Sequence, residues 1–85
     1  MFKIEIVKKD GKKVFYDLTP SAKVAFESEF KVGWRKRLDD LKMESDLWWF
    51  AWKLEKDAGK TELPFGDDYI NQYLDVDLTY DSKNG

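Results

Sequence analysis

Residues 2–18 read FKIEIVKKDGKKVFYDL, and the way this stretch pairs with itself decides the architecture. Phe2, Ile4 and Ile6 alternate with Lys3, Glu5 and Val7, while Val14, Tyr16 and Leu18 alternate with Phe15 and Asp17. This is the period-2 pattern of strands with one buried face. Asp10-Gly11 marks the turn between them. A two-residue loop pairs Lys9 with Lys12 and sets Ile4 opposite Asp17, which places a charge among apolar neighbours. A three-residue loop, Lys9-Asp10-Gly11, pairs Ile6 with Val14, Ile4 with Tyr16 and Phe2 with Leu18. All six then share one face, as a buried sheet face requires. The spacing therefore predicts a hairpin (2–8 with 12–18) closed by a type I turn, with Gly11 in the left-handed region as a G1 bulge. Two strands are marginal alone, so helices must cover them. The expected class is α+β, a hairpin packed on two or three helices.

Those helices follow in order. Thr19-Pro20 is a helix start, with Thr19 as N-cap and Pro20 at the first helical position. Ala22, Phe26 and Phe30 recur at i, i+4 spacing, which predicts a first helix over about 20–38. Gly33 weakens it near its middle or ends it, so Trp34–Leu38 either continues the helix or forms a bend. From Met43 to Ala58, Met43, Leu47, Phe50, Ala51, Leu54 and Ala58 give one stripe at steps of 3 or 4, a second helix over 43–58. Gly59 is placed to take the left-handed conformation just past it. A third, short helix is expected over 67–74, with Phe65, Tyr69, Ile70, Tyr73 and Leu74 facing inward. Val76, Leu78 and Tyr80 then alternate with Asp77, Thr79 and Asp81, a pattern of either a strand or an extended arm, so residues 76–85 could form a tail.

The 85-residue length holds one domain, expected to span residues 1–85. Apolar residues make up 42% and aromatics 16%, which argues against disorder. Cysteine and histidine are both absent, so the chain has no thiolate chemistry, no usual zinc ligand and no default general base at neutral pH. No apolar run approaches the length of a membrane span, and MFKIEIVKKD lacks the apolar core of a signal peptide, so an intracellular, soluble protein is expected. Residues 1–42 carry eleven Lys/Arg against seven Asp/Glu, and residues 43–85 carry four against ten. A basic half and an acidic half steer protein association and are a poor footprint for nucleic acid.

Chemical motifs are mostly missing. DVDLTYD (75–81) has calcium-loop spacing between its first carboxylates, but lacks the turn glycine and the terminal bidentate Glu. Asp39-Asp40 and Asp67-Asp68 are adjacent pairs suited to helix ends rather than a facing hydrolytic pair. No phosphate-binding loop or nucleophile elbow occurs. Neither an enzyme nor a cofactor or metal site is expected. Arg35, Lys36 and Arg37 beside Trp34 have the chemistry to stack on and neutralise a nucleic-acid strand, but Asp39-Asp40 directly behind them repels phosphate.

LWWFAW (47–52) holds three tryptophans in five positions. With Leu47 at zero on a helical wheel, Phe50, Ala51 and Leu54 lie within about 60° of it, and Trp48 and Trp52 flank that stripe. The hairpin and third helix can cover those two. Trp49 lies near 200°, on the opposite face, where an exposed aromatic marks a protein interface. The candidate partner-binding residues are Trp49, Trp48, Trp52, Trp34, Arg35 and Arg37, and an exposed aromatic helix is compatible with a homo-oligomer.

A β-hairpin, the step TPSAKVAFE (19–27), the helix LWWFAWKLEKDAGK (47–60) and the opening PFGDDYINQYL (64–74) together resemble the small tail-assembly chaperone (morphogenesis) proteins of long-tailed bacteriophages. The resemblance covers roughly residues 19–76, and Phe26-Glu27, Ala51-Trp52 and Gly59 carry most of it. The doubled Trp48-Trp49 and the acidic tail beyond residue 76 depart from the pattern. The resemblance implies a non-enzymatic protein of the host cytoplasm that binds the helical tape-measure protein, shields its apolar stripes before the tail tube polymerises and recruits tube subunits. Two other roles suit the composition: a structural virion component such as a head–tail connector or decoration protein, and a small inhibitor or adaptor that engages a host protein through its acidic half.

Overall fold

A computed structural model describes residues 2–80. The elements run β1 (Phe2–Lys8), β2 (Lys13–Asp17), α1 (Pro20–Phe30), α2 (Trp34–Leu41), α3 (Glu44–Asp57), α4 (Asp67–Ile70) and β3 (Tyr73–Tyr80), an α+β arrangement. The hairpin forms in the expected register, Ile6 opposite Val14 and Ile4 opposite Tyr16. Its turn is closed by the Gly11 amide donating to the Lys8 carbonyl at 2.9 Å, and the Lys8 amide donating to the Lys12 carbonyl at 2.8 Å. Gly11 sits at φ +90°, a conformation that costs a glycine little and a side-chain-bearing residue much more.

The segment from Tyr73 is a strand, pairing antiparallel with the other side of β1 to give the order β2-β1-β3. Val76 lies opposite Ile6, Leu78 opposite Ile4 and Tyr80 opposite Phe2, so the inner face of the hairpin gains a third apolar column. The part of the expected tail beyond residue 80 lies outside the described residues. The third helix is shorter than its predicted 67–74. It ends at Ile70, and Tyr73 and Leu74 belong to β3, because the alternating pattern can extend the sheet whereas one more helical turn would leave the β1 edge unpaired. Tyr69 is fully buried, but Phe65 and Leu74 are exposed rather than inward-facing.

The helix expected over 20–38 is two helices. Thr19 caps α1 by accepting from the Ala22 amide at 3.2 Å. The chain leaves α1 through Lys31, which takes the left-handed conformation at φ +61°, and re-enters a helix after Gly33. The Glu27 carboxylate accepts from the Trp34 amide at 3.1 Å, so a side chain of α1 satisfies an orphan donor at the start of α2. At the far end of α3, Gly59 is left-handed as expected (φ +73°), and the Lys60 amide closes the helix on the Glu55 carbonyl at 2.8 Å.

The core lies between the sheet and the helices, with α3 passing over β1 and β3 on one side and against α1 on the other. Ile4, Ile6, Phe26 and Phe50 are fully buried, and the rings of Phe26 and Phe50 stack at 4.7 Å. Fully burying one such side chain stabilises by about 1.5–3 kcal/mol.

Candidate protein-binding site

The six predicted contact residues do not form one patch. Trp49 is only 8% exposed, which corrects the expectation that it projects into solvent. Its ring meets Phe30 edge-on at 5.5 Å and Phe26 edge-on at 5.6 Å. The physical reason is that α3 is covered from two directions. Asp46 is held by Arg37 of α2, Trp49 and Phe50 pack on Phe26 of α1, and Glu55 is held by tyrosines of β2, α4 and β3; with Ala51 and Leu54 also buried, the buried positions span about 240° of the helical wheel. A wheel centred on Leu47 allows for one covering layer and so assigns Trp49 to water.

Trp48 is half-buried and stacks on Tyr73 of β3 at 6.3 Å. Trp52 is covered by the connection that follows α3 rather than by a third helix. Its indole N–H donates to the Leu63 carbonyl at 2.8 Å, and its ring meets Phe65 at 5.9 Å. Arg37 is not a free contact residue either. It grips the buried carboxylate of Asp46 with two hydrogen bonds, Nε to Oδ2 at 2.9 Å and Nη2 to Oδ1 at 3.1 Å, and lies over the Phe30 ring at 4.7 Å. That pairing raises the guanidinium above its ordinary pKa and fixes α2 to the first turn of α3. Lys36 pairs with Asp40 at 2.9 Å, so of the basic run Arg35 alone makes no ion pair among the described residues.

Trp34 is also buried, 6% exposed, which corrects the expectation of a free indole there, but with the exposed Arg35 it lines an opening. A cleft of about 650 Å³ lies where α1 and α2 meet the ends of β1 and β3. Phe2, Trp34, Leu38 and Leu78 give it apolar walls, and Tyr80, 62% exposed, stands at its mouth. Lys23 and Arg35 both lie over the Trp34 ring, at 5.2 and 5.3 Å, and Asp39 lines the same cleft, so the apolar floor is bordered by two cations and one carboxylate. A second cleft of about 440 Å³ runs between α1 and α3, past Ala25, Phe30, Trp49, Trp52 and Phe65.

One polar constellation escaped the sequence reading. Glu55 is buried in α3, and three phenols donate to its carboxylate: Tyr69 and Tyr73 to Oε1, each at 2.7 Å, and Tyr16 to Oε2 at 2.8 Å. Burial first, then the hydrogen bond and negative charge of Glu55, push all three phenols above their ordinary pKa, Tyr16 to about 12. These groups join β2, α3, α4 and β3 at one point. Each tyrosine was legible as an inward-facing residue, and the available signal was a lone Glu one turn beyond Ala51 on the edge of the apolar stripe.

Among the described residues no group of acidic side chains could hold a metal ion, and no helix is long and apolar enough to cross a membrane. No protein-family model matches this chain, and neither a curated protein nor a solved structure matches it.

Proposed function

We propose that the protein is a non-enzymatic binding module of phage tail assembly, a chaperone-like partner of the tape-measure or tail-tube protein acting in the host cytoplasm. The observation that carries this reading is the cleft beside Trp34, apolar within and bordered by Lys23 and Arg35 against the single carboxylate of Asp39. An amphipathic helix seats one apolar stripe in such a groove through anchors at i, i+3, i+4 and i+7. Acidic residues beside that stripe would meet Lys23 and Arg35. The resemblance over residues 19–76 supports the same role, although the contact surface moves from the outer face of α3 to the junction of α1, α2 and the sheet.

The test is co-expression with the tape-measure protein encoded in the same genome. Wild-type protein is expected to keep a tape-measure fragment soluble and to copurify with it. The double variant Arg35→Glu/Tyr80→Ser, which changes two exposed residues of the cleft, is expected to lose capture while its melting temperature stays within a few degrees of wild type. Capture unaffected by that variant would overturn the assignment of the cleft. Recovery of the chain in stoichiometric amounts from finished particles would favour a structural virion component instead.

A further inference from the structure

The two edges of the sheet are not alike. In an antiparallel ladder, residues alternate between those that exchange hydrogen bonds with the neighbour and those whose amides aim away from it. On the β3 edge the amides of Val76 and Leu78 aim outward, and each is already held by the carboxylate before it, Asp75 Oδ1 and Asp77 Oδ1, both at 2.8 Å. That edge is capped by its own side chains and carries negative charge, a common protection against strand addition. The β2 edge lacks such caps. The Lys8–Lys12 and Phe2–Leu18 bonds place the even-numbered residues of β2 in contact with β1, so Lys13, Phe15 and Asp17 aim their amides outward. None of the hydrogen bonds outside the sheet ladder among the described residues uses those three amides.

We infer that the β2 edge is the pairing site for a second copy of this chain, giving a two-fold dimer with one continuous six-stranded sheet. The sequence of β2, Lys13-Val14-Phe15-Tyr16-Asp17, is complementary to itself when reversed. Antiparallel pairing centred on Phe15 sets Lys13 opposite the second copy's Asp17, Val14 opposite its Tyr16 and Phe15 opposite its Phe15. In that register the three residues with outward amides fall on hydrogen-bonded positions in both copies, so edge donors meet edge acceptors.

The charges agree with this pairing. Lys13 and Asp17 lie on the outer face beside Glu5 (3.8 Å) and Lys3 (3.1 Å), and the second copy extends each pair into a row of alternating sign. Phe15, 52% exposed on that face, gains an aromatic cross-strand neighbour. On the inner flank, a cleft of about 310 Å³ beside Tyr16, Leu54 and Ala58 leaves room for the second copy's Val14. The same operation at the β3 edge, centred on Val76 or Asp77, would set Asp75 opposite the second copy's Asp77 or Asp77 opposite itself, which like-charge repulsion opposes. This inference goes beyond the binding reading above and stands or falls separately from it.

Sedimentation equilibrium of the full chain from low micromolar to millimolar concentration tests the pairing. The mass is expected to rise from 10.1 kDa toward twice that value, and less steeply at high salt, because exposed ion pairs are screened. Phe15→Pro is expected to abolish the rise, since it removes an outward amide while leaving every β1–β2 bond in place, a position where an edge strand tolerates proline. Lys13→Asp is expected to weaken association about tenfold by opposing two carboxylates, and Lys13→Asp with Asp17→Lys, combined with Glu5→Lys and Lys3→Glu so that the pairs within each copy keep opposite signs, to restore it. The fully charge-swapped variant keeps the test decisive even if the proline variant fails to fold. A constant monomer mass across the range, a dimer that survives Phe15→Pro, or a swapped variant no better than Lys13→Asp would each overturn the pairing.

Discussion

Replacing Glu55 by Gln keeps the shape of the side chain and removes its charge, so the variant isolates what the carboxylate does for the three phenols. Oε1 accepts from Tyr69 and Tyr73, and Oε2 from Tyr16. A glutamine can keep its carbonyl toward the first two, but its amide then faces the Tyr16 hydroxyl, which must turn and accept instead of donate. Hydrogen bonds to a charged group contribute about 1.5–3 kcal/mol and neutral ones about 0.5–1.5, so the exchange costs roughly 3–4.5 kcal/mol over three bonds. A domain of this size has about 4–13 kcal/mol in all, and the loss is therefore visible as a lower urea midpoint at unchanged slope. The alkaline titration supplies the second readout. Each phenol is raised above its ordinary value near 10, so the network's contribution is intact below pH 10 and is lost as pH rises through the folded values, about 12 for Tyr16. In Glu55→Gln the hydrogen-bonding and charge causes weaken while burial remains, so phenolate absorbance is expected to appear at lower pH than in wild type. A titration curve superposable on wild type, with an unmoved urea midpoint, would refute the network.

Trp49→Ala deletes a ring packed edge-on against Phe26 and Phe30. It is expected to cost about 3–5 kcal/mol, lowering the melting temperature by about 4–8 °C for each kcal/mol; a melting curve unchanged within 2–3 °C, well under that scale, would return Trp49 to the surface. Arg37→Met leaves the buried Asp46 carboxylate without its cation, so the chain is expected to melt earlier and the amides of α2 to exchange faster. Because uncompensated burial of charge is the cause, Arg37→Met with Asp46→Leu is expected to recover most of the loss. Equal melting of the single and double variants would count against that cause.

The parts legible in the sequence were those where one local rule had no competitor. The register of the hairpin followed from a period of two and from the charge of Asp17, which excludes the two-residue loop. Thr19-Pro20 and Gly59 announced helix ends by their backbone preferences, and both act there. The break after α1 was one of two readings left open at Gly33, and the sequence did not decide between them because the left-handed residue is Lys31, a type that rarely takes that conformation, while Gly33 keeps an ordinary φ as the cap of α2. The true boundary of α4 was hidden for another reason. Tyr73 continues a helical spacing from Tyr69 and also a strand spacing toward Val76, and pairing with β1 decides between them. The Glu55 and Asp46 partnerships are nonlocal, joining residues up to 39 positions apart, and no periodicity within one segment encodes them.

The burial of Trp49 alters the kind of recognition this fold can offer. A surface built from free indoles on α3 would bind by apolar area alone, and any partner with a greasy stripe would serve. In the folded chain two layers consume most of that area, and the large apolar side chains left outside are spread over the described residues: Phe15 on the sheet, Val24 on α1, Val32 and Met43 in the short connections, Leu63 and Phe65 after α3, Leu74 and Tyr80 on β3. What stays concentrated is directional. The cleft at Trp34 pairs an apolar floor with two cations and the carboxylate of Asp39, and the β2 edge presents outward amides framed by a Lys and an Asp. Both demand a matching pattern of charge or backbone from whatever binds, which confers specificity on a small module whose core has already taken up its aromatic residues. The capped β3 edge fits the same logic, since an 85-residue chain with two open sheet edges could polymerise without limit, whereas a single open edge closes into a pair.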